Sequence, residues 1–231
     1  MEREYERFSV AWIPVPGTAL ADFGKAWTGW CSVSGQRTPA SKDWEPLKEA
    51  ARVGRFPGQR GLHAPLTRPF ALSDEVSRWA LEAVLEEFAS GRPSEYVSNP
   101  VVRVDNERVV FAPERRSDRL NVMMTDLQEE LRPFVKFESG PMPLDFVLPL
   151  TGMIGPRVSD SVLMELAPFL DGITDPKPLI ASLSLIGQPC EGQAWRMLDR
   201  YVLSGQSDNA REVPAAMTCI GPDLLAPAMS M

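Results

Sequence analysis

Gly61-Leu62-His63-Ala64-Pro65-Leu66-Thr67-Arg68-Pro69-Phe70 decides the reading of this chain. It carries the protein's single histidine, and it has an echo downstream at Asp145-Phe146-Val147-Leu148-Pro149-Leu150-Thr151-Gly152. Laid on each other, the cores read His-Ala-Pro-Leu-Thr and Val-Leu-Pro-Leu-Thr. Each is followed by a short loop, then by Ser-Asp (Ser73-Asp74 and Ser159-Asp160), then by an amphipathic run. The spacing predicts a strand-loop-helix unit that occurs twice. The two copies differ where chemistry would sit.

Outward from the first copy, Ser73 is a candidate helix cap, with Asp74 and Glu75 where the helix dipole favours acids. Val76, Ala80, Leu81, Val84, Leu85 and Phe88 form the apolar stripe of the helix that follows, and Gly91 and Pro93 stop it. Upstream, Arg52, Arg55, Arg60 and Arg68 crowd around His63, with Lys48 nearby. Guanidinium forks suit phosphate or carboxylate; a solvated loop surface is the competing explanation. Phe8 to Pro14 reads as the first strand, and Leu20, Phe23, Trp27 and Trp30 give residues 18–30 a helical aromatic face that packs on a sheet. Val101 to Arg103 and Arg108 to Phe111 flank Asp105-Asn106-Glu107 as a hairpin. Ser117 caps a helix bearing Leu120, Met123, Met124, Leu127 and Leu131. Beyond the second copy, Val162, Leu163, Leu166, Phe169 and Leu170 mark another helix. Leu179 to Ile186 and Trp195 to Leu203 make a closing hairpin. Periodicity then ends, so the expected organisation is a body over residues 1–204 and an irregular tail over 205–231.

The totals exclude several classes. A chain of 231 residues with 44% hydrophobic and 24% charged residues can bury a real core. A formal charge of -7 argues against broad nucleic-acid binding or an anionic membrane surface. Three widely spaced cysteines and one histidine suggest neither a disulfide framework nor a metal centre. The charged start, Met1-Glu2-Arg3-Glu4, and the lack of a long apolar run favour a cytoplasmic protein with no membrane span. No cofactor is expected.

The two motifs resemble those of the two-histidine phosphoesterase superfamily. They are most similar to its LigT-like branch, named for phosphonate-utilisation operons. That branch carries Gly-Phe-His-Ala-Thr-Leu-Lys-x-Pro-Phe, onto which residues 61–70 fall, and Phe-His-x-Thr-Leu-Thr-Gly, onto which residues 146–152 fall. The likeness spans residues 6–203. It implies an α+β fold: two pseudo-symmetric lobes of antiparallel sheet with outer helices and a central groove. It also implies one histidine and one hydroxyl from each lobe around a cyclic phosphodiester, one imidazole as base and the other as acid.

Three of those four positions are changed here. His63 is kept, but its partner threonine is Pro65, the second histidine is Val147 and its threonine is Pro149. Valine transfers no proton, and proline offers no hydroxyl and no N–H. Strand alternation would turn Thr67 and Thr151 to the same side as His63 and Val147, making them substitute hydroxyls. Prolines within strands imply edge positions. Three readings follow. The first is a non-catalytic scaffold that binds a phosphorylated small molecule or a protein partner. The second is an enzyme using His63 as its single acid/base, with Arg60 and Arg68 neutralising phosphate. The third is an interaction subunit working through the tail. A lone histidine also has a plain alternative, a hydrogen-bonded packing role.

Overall fold

The computed structural model describes residues 4–38, 61–73, 76–140, 145–154, 156–171 and 178–205. Arg60, with Arg52, Arg55 and Lys48, lies outside those residues, as do Asp74, Glu75 and 206–231.

The strands are β1 (Arg7–Trp12), β2 (Ala64–Pro65), β3 (Phe70–Leu72), β4 (Glu95–Tyr96), β5 (Pro100–Asp105), β6 (Arg108–Pro113), β7 (Val135–Phe137), β8 (Leu148–Pro149), β9 (Leu179–Ile180), β10 (Ser182–Gln188) and β11 (Arg196–Val202). The helices are α1 (Ala19–Thr28), α2 (Arg78–Ser90), α3 (Asp118–Leu131) and α4 (Pro156–Asp171). One lobe is a six-stranded sheet in the order β11-β10-β1-β3-β7, with β2 also on β1. The other holds β5-β6-β8, and a short β4-β9 pair lies apart. Every recorded pairing is antiparallel. The architecture is therefore α+β with two lobes of antiparallel sheet, as expected.

Local sequence explains the elements. Thr18 is extended and accepts from the Ala21 N–H, while Gly29, at φ 70°, closes α1 by donating to the Lys25 carbonyl. The helix buries Leu20, Phe23 and Trp27, and Phe23 stacks on Trp27 at 6.2 Å. Ser117 caps α3, whose stripe Leu120, Met123, Met124, Leu127 and Leu131 is buried as its spacing requires. The β5–β6 turn is tight because Asn106 and Glu107 both adopt positive φ, 47° and 61°, matching the twist of a two-residue hairpin.

Three expectations are corrected. Ser73 does not cap α2: its N–H extends the β3 edge to the Phe134 carbonyl, and the cap is Ser77, which accepts from the Ala80 N–H. Ser159-Asp160 falls inside α4, which begins at Pro156; proline suits a first turn because it needs no N–H partner there. Leu179 to Ile186 is not one strand. Its start pairs with β4 and the remainder with β1 and β11.

β11 presents one testable oddity. The Tyr201 hydroxyl is buried and finds no hydrogen-bond partner among the described residues. Burial also pushes its phenol well above the usual tyrosine range. Deprotonation is thus disfavoured in the folded state, so this contribution to stability is complete below about pH 10 and falls as pH rises above it. Tyr201→Phe is expected to hold or raise the melting temperature at pH 7 and to flatten the loss above pH 10, as read by thermal melts across that range.

Candidate functional site

β2 and β8 are the short motif strands, and they lie against each other where the lobes meet. The mode of attachment is the same in both lobes. In the first, Pro65 lies opposite Ala11 and Ala64 opposite Trp12. The Leu66 and Thr67 N–H groups then both donate to the Val10 carbonyl, at 2.9 and 3.2 Å. In the second, Pro149 lies opposite Val110 and Leu148 opposite Phe111. The Leu150 and Thr151 N–H groups both donate to the Val109 carbonyl, at 2.8 and 3.2 Å. Two residues facing one carbonyl is a bulge. The threonines complete it: the Val10 N–H donates to Thr67 Oγ1 and the Val109 N–H to Thr151 Oγ1, each at 2.9 Å. Pro65 and Pro149 therefore occupy equivalent places, and both belong to short strands at sheet margins where a missing N–H breaks no ladder.

The bulge corrects the reading of Thr67. Alternation slips by one residue, so Thr67 is fully buried against β1, with Ser9 Oγ at 3.4 Å, and does not line the groove. Thr151 lines the groove, as expected, but is fully buried, and its hydroxyl donates to the Gly152 carbonyl at 2.9 Å. Both hydroxyls bond backbone groups.

Contacts between the lobes fix the groove. Trp12 packs on Phe146 at 5.7 Å, and the Trp27 indole N–H reaches from α1 to the Leu150 carbonyl. Asp145, at the entry to β8, takes a hydrogen bond from the Asn121 amide of α3 at 3.2 Å and an ion pair from Arg116 at 2.9 Å. The groove has a volume of about 620 Å³. His63, Pro65, Pro149 and Thr151 line it, so residues from both motifs face one shared space. Val147 is half-buried and immediately precedes β8, as His63 immediately precedes β2. The His63 Nδ1 lies 2.9 Å from the Gly61 carbonyl. A carbonyl only accepts, so the ring proton belongs on Nδ1 and Nε2 is the basic nitrogen.

Among the described residues the cations of the groove do not include Arg68. Arg68 lies beside His63 in sequence but turns away: it donates to the Gly140 carbonyl at 3.1 Å and sits 5.3 Å above the Phe137 ring. Arg7 and Arg108, from β1 and β6, line the groove instead. Arg7 is held by both oxygens of Glu138, at 2.5 and 2.6 Å, and donates to Gln188 Oε1 at 2.9 Å. The Glu138 hydrogen bonds raise its already high pKa. Its guanidinium lies 5.8 Å from the Trp195 ring, which forms a wall with Gln193 and Glu191. Sequence reasoning missed Arg7, Arg108, Gln188 and Trp195. Their only signal was position, at the ends of strands that flank the motifs.

The fold and site thus define a two-lobed α+β protein with a groove of mixed polar and apolar lining where the two motif strands meet. Among solved structures the chain is similar to a phosphoesterase, with 15% identity, a TM-score of 0.49 and coverage of 88% of this chain and 100% of that one. It is similar to E. coli LigT complexed with 3′-AMP, with 14% identity, a TM-score of 0.48 and coverage of 88% and 100%. It is also similar to Usb1 of Kluyveromyces marxianus, with 9% identity, a TM-score of 0.42 and coverage of 84% and 98%. No family model matches the chain, and no curated protein matches it by sequence.

Proposed function

We propose that this chain is a two-histidine phosphoesterase-like protein that has given up hydrolysis and uses its groove to bind a small phosphorylated molecule. The ten-residue first motif favours the LigT-like, phosphonate-operon-associated branch. The matched bulges at Thr67 and Thr151 support an internal duplication behind the two lobes. On this reading residues 1–204 are one bilobal domain in the cytoplasm and 205–231 an appended tail.

One observation carries the proposal. At the four motif positions where a phosphodiesterase would need two proton-transfer groups and two hydroxyls, the chain has one imidazole, two prolines and a valine, and the imidazole and both prolines line the groove. Removing the acid or the base costs about 10²–10⁴-fold in rate. What remains suits recognition. Arg108 is exposed at the rim, Arg7 sits on the wall, and His63 adds a donor when protonated. No described helix is long and apolar enough to cross a membrane.

Inorganic phosphate tests the site by titration calorimetry. Arg108→Ala is expected to weaken binding about tenfold, as loss of a charge-assisted hydrogen bond does. Glu138→Gln is expected to tighten it about two- to fivefold, because the Arg7 charge is then no longer compensated within the protein. Affinity unmoved by either change would remove the groove as the anion site.

A further inference from the structure

The tight turn after α1 touches the histidine segment at several points. The Cys31 N–H donates to the Gln36 carbonyl and the Gly35 N–H to the Cys31 carbonyl, both at 2.9 Å, which closes the turn on itself. From it, Ser32 Oγ donates to the Leu62 carbonyl at 2.7 Å. Gly61 is pressed against the same residue so closely that a Cβ there would lie 2.4 Å from both the Ser32 nitrogen and its Oγ. Only glycine permits that approach. On its other side, the Leu62 side chain fills the space above Gly24 of α1, where a Cβ would meet it at 2.8 Å. The Gly61-Leu62 backbone that leads to His63 and offers the Gly61 carbonyl to its Nδ1 is thus held from two elements.

The same turn also holds the backbone around Trp195, another groove residue. The Met197 N–H donates to the Val33 carbonyl at 3.2 Å, and Gly35 sits against the Trp195 carbonyl, where a Cβ would come within 3.1 Å. One short turn therefore touches the backbone beside both His63 and Trp195, which line the same groove.

We infer that Ser32 is a positioning residue for His63: by its hydrogen bond to the Leu62 carbonyl and its packing on Gly61 it holds the Gly61-Leu62-His63 backbone in place and so fixes the imidazole tautomer. Its role in ligand binding rests on the groove reading above; its effect on the imidazole does not. Ser32 does not itself line the groove, so it acts through the backbone it holds.

A single histidine makes the test direct, because the protein has one set of imidazole signals. Long-range ¹H–¹⁵N spectra of the full-length protein report the tautomer and its titration. The wild type is expected to show Nδ1–H at high pH; an Nε2–H tautomer overturns the inference, whether or not any variant folds. Ser32→Ala is expected to give a mixed tautomer and to move the imidazole pKa by at least about half a unit. Arg7, Arg108 and Glu191, the charged groups lining the same groove, are left in place by that change. Ser34→Ala, in the same turn but exposed, is expected to leave the imidazole as in the wild type. An unaltered imidazole in folded Ser32→Ala, or an equal disturbance in Ser34→Ala, overturns the assignment. Phosphate affinity is expected to fall about fivefold in Ser32→Ala. A wild type that binds no phosphate sinks the groove reading, while the imidazole spectra still judge Ser32.

Discussion

Thr67→Val and Thr151→Val are each expected to lower the unfolding free energy by about 1–3 kcal/mol, and by similar amounts. Valine keeps the shape of threonine and removes the oxygen. In the first lobe this strands the Val10 N–H, in the second the Val109 N–H; each now donates to a threonine Oγ1 at 2.9 Å. Both threonines are fully buried, so water cannot replace the lost acceptor. The two sites share no hydrogen-bond partner, and the double variant should lose roughly the sum. Urea titrations of the four proteins measure this. A large loss at one site with none at the other would mean that the bulges are alike in geometry but not in role, and would weaken the case for a duplicated unit.

The second large effect concerns catalysis. Val147→His, combined with Pro65→Thr and Pro149→Thr, rebuilds the four side chains that the resemblance assigns to an active groove. Pro65, Pro149 and His63 already line one space, and Val147 immediately precedes β8 as His63 immediately precedes β2. The triple variant is expected to open 2′,3′-cyclic nucleotides at least about 10²-fold faster than the wild type, the smaller end of what an acid/base partner supplies. Both prolines sit in marginal strands, so the restored N–H groups need no ladder partner. Rates equal to the wild type in a folded triple variant would mean that the groove departs from the active geometry in more than its side chains.

Much of the fold could be read from pattern. The stripe of α3, the aromatic face of α1 and the Asn106 hairpin each follow from spacing that one local rule interprets. Ser73 misled because it and Ser77 lie four residues apart, and both precede an apolar run; strand pairing to Phe134 decided between them. Thr67 misled for a subtler reason. A two-residue period assumes an unbroken ladder, and the bulges at Leu66-Thr67 and Leu150-Thr151 break it. Arg68 shows that a neighbour in sequence can point to the opposite face. Arg7 lies 131 residues from Glu138 and 181 from Gln188, so its place in the site arises only when β1, β7 and β10 assemble.

The central claim is that the groove still receives a phosphate ester but no longer moves protons on it. It is tested most directly by adding a 2′,3′-cyclic nucleotide to the wild type while following the His63 imidazole and the ligand phosphorus by NMR. The account predicts a saturable shift of the imidazole signals while the phosphorus resonance stays that of the cyclic ester. Conversion to a monoester that stops in His63→Ala, or an imidazole that never responds, would contradict it.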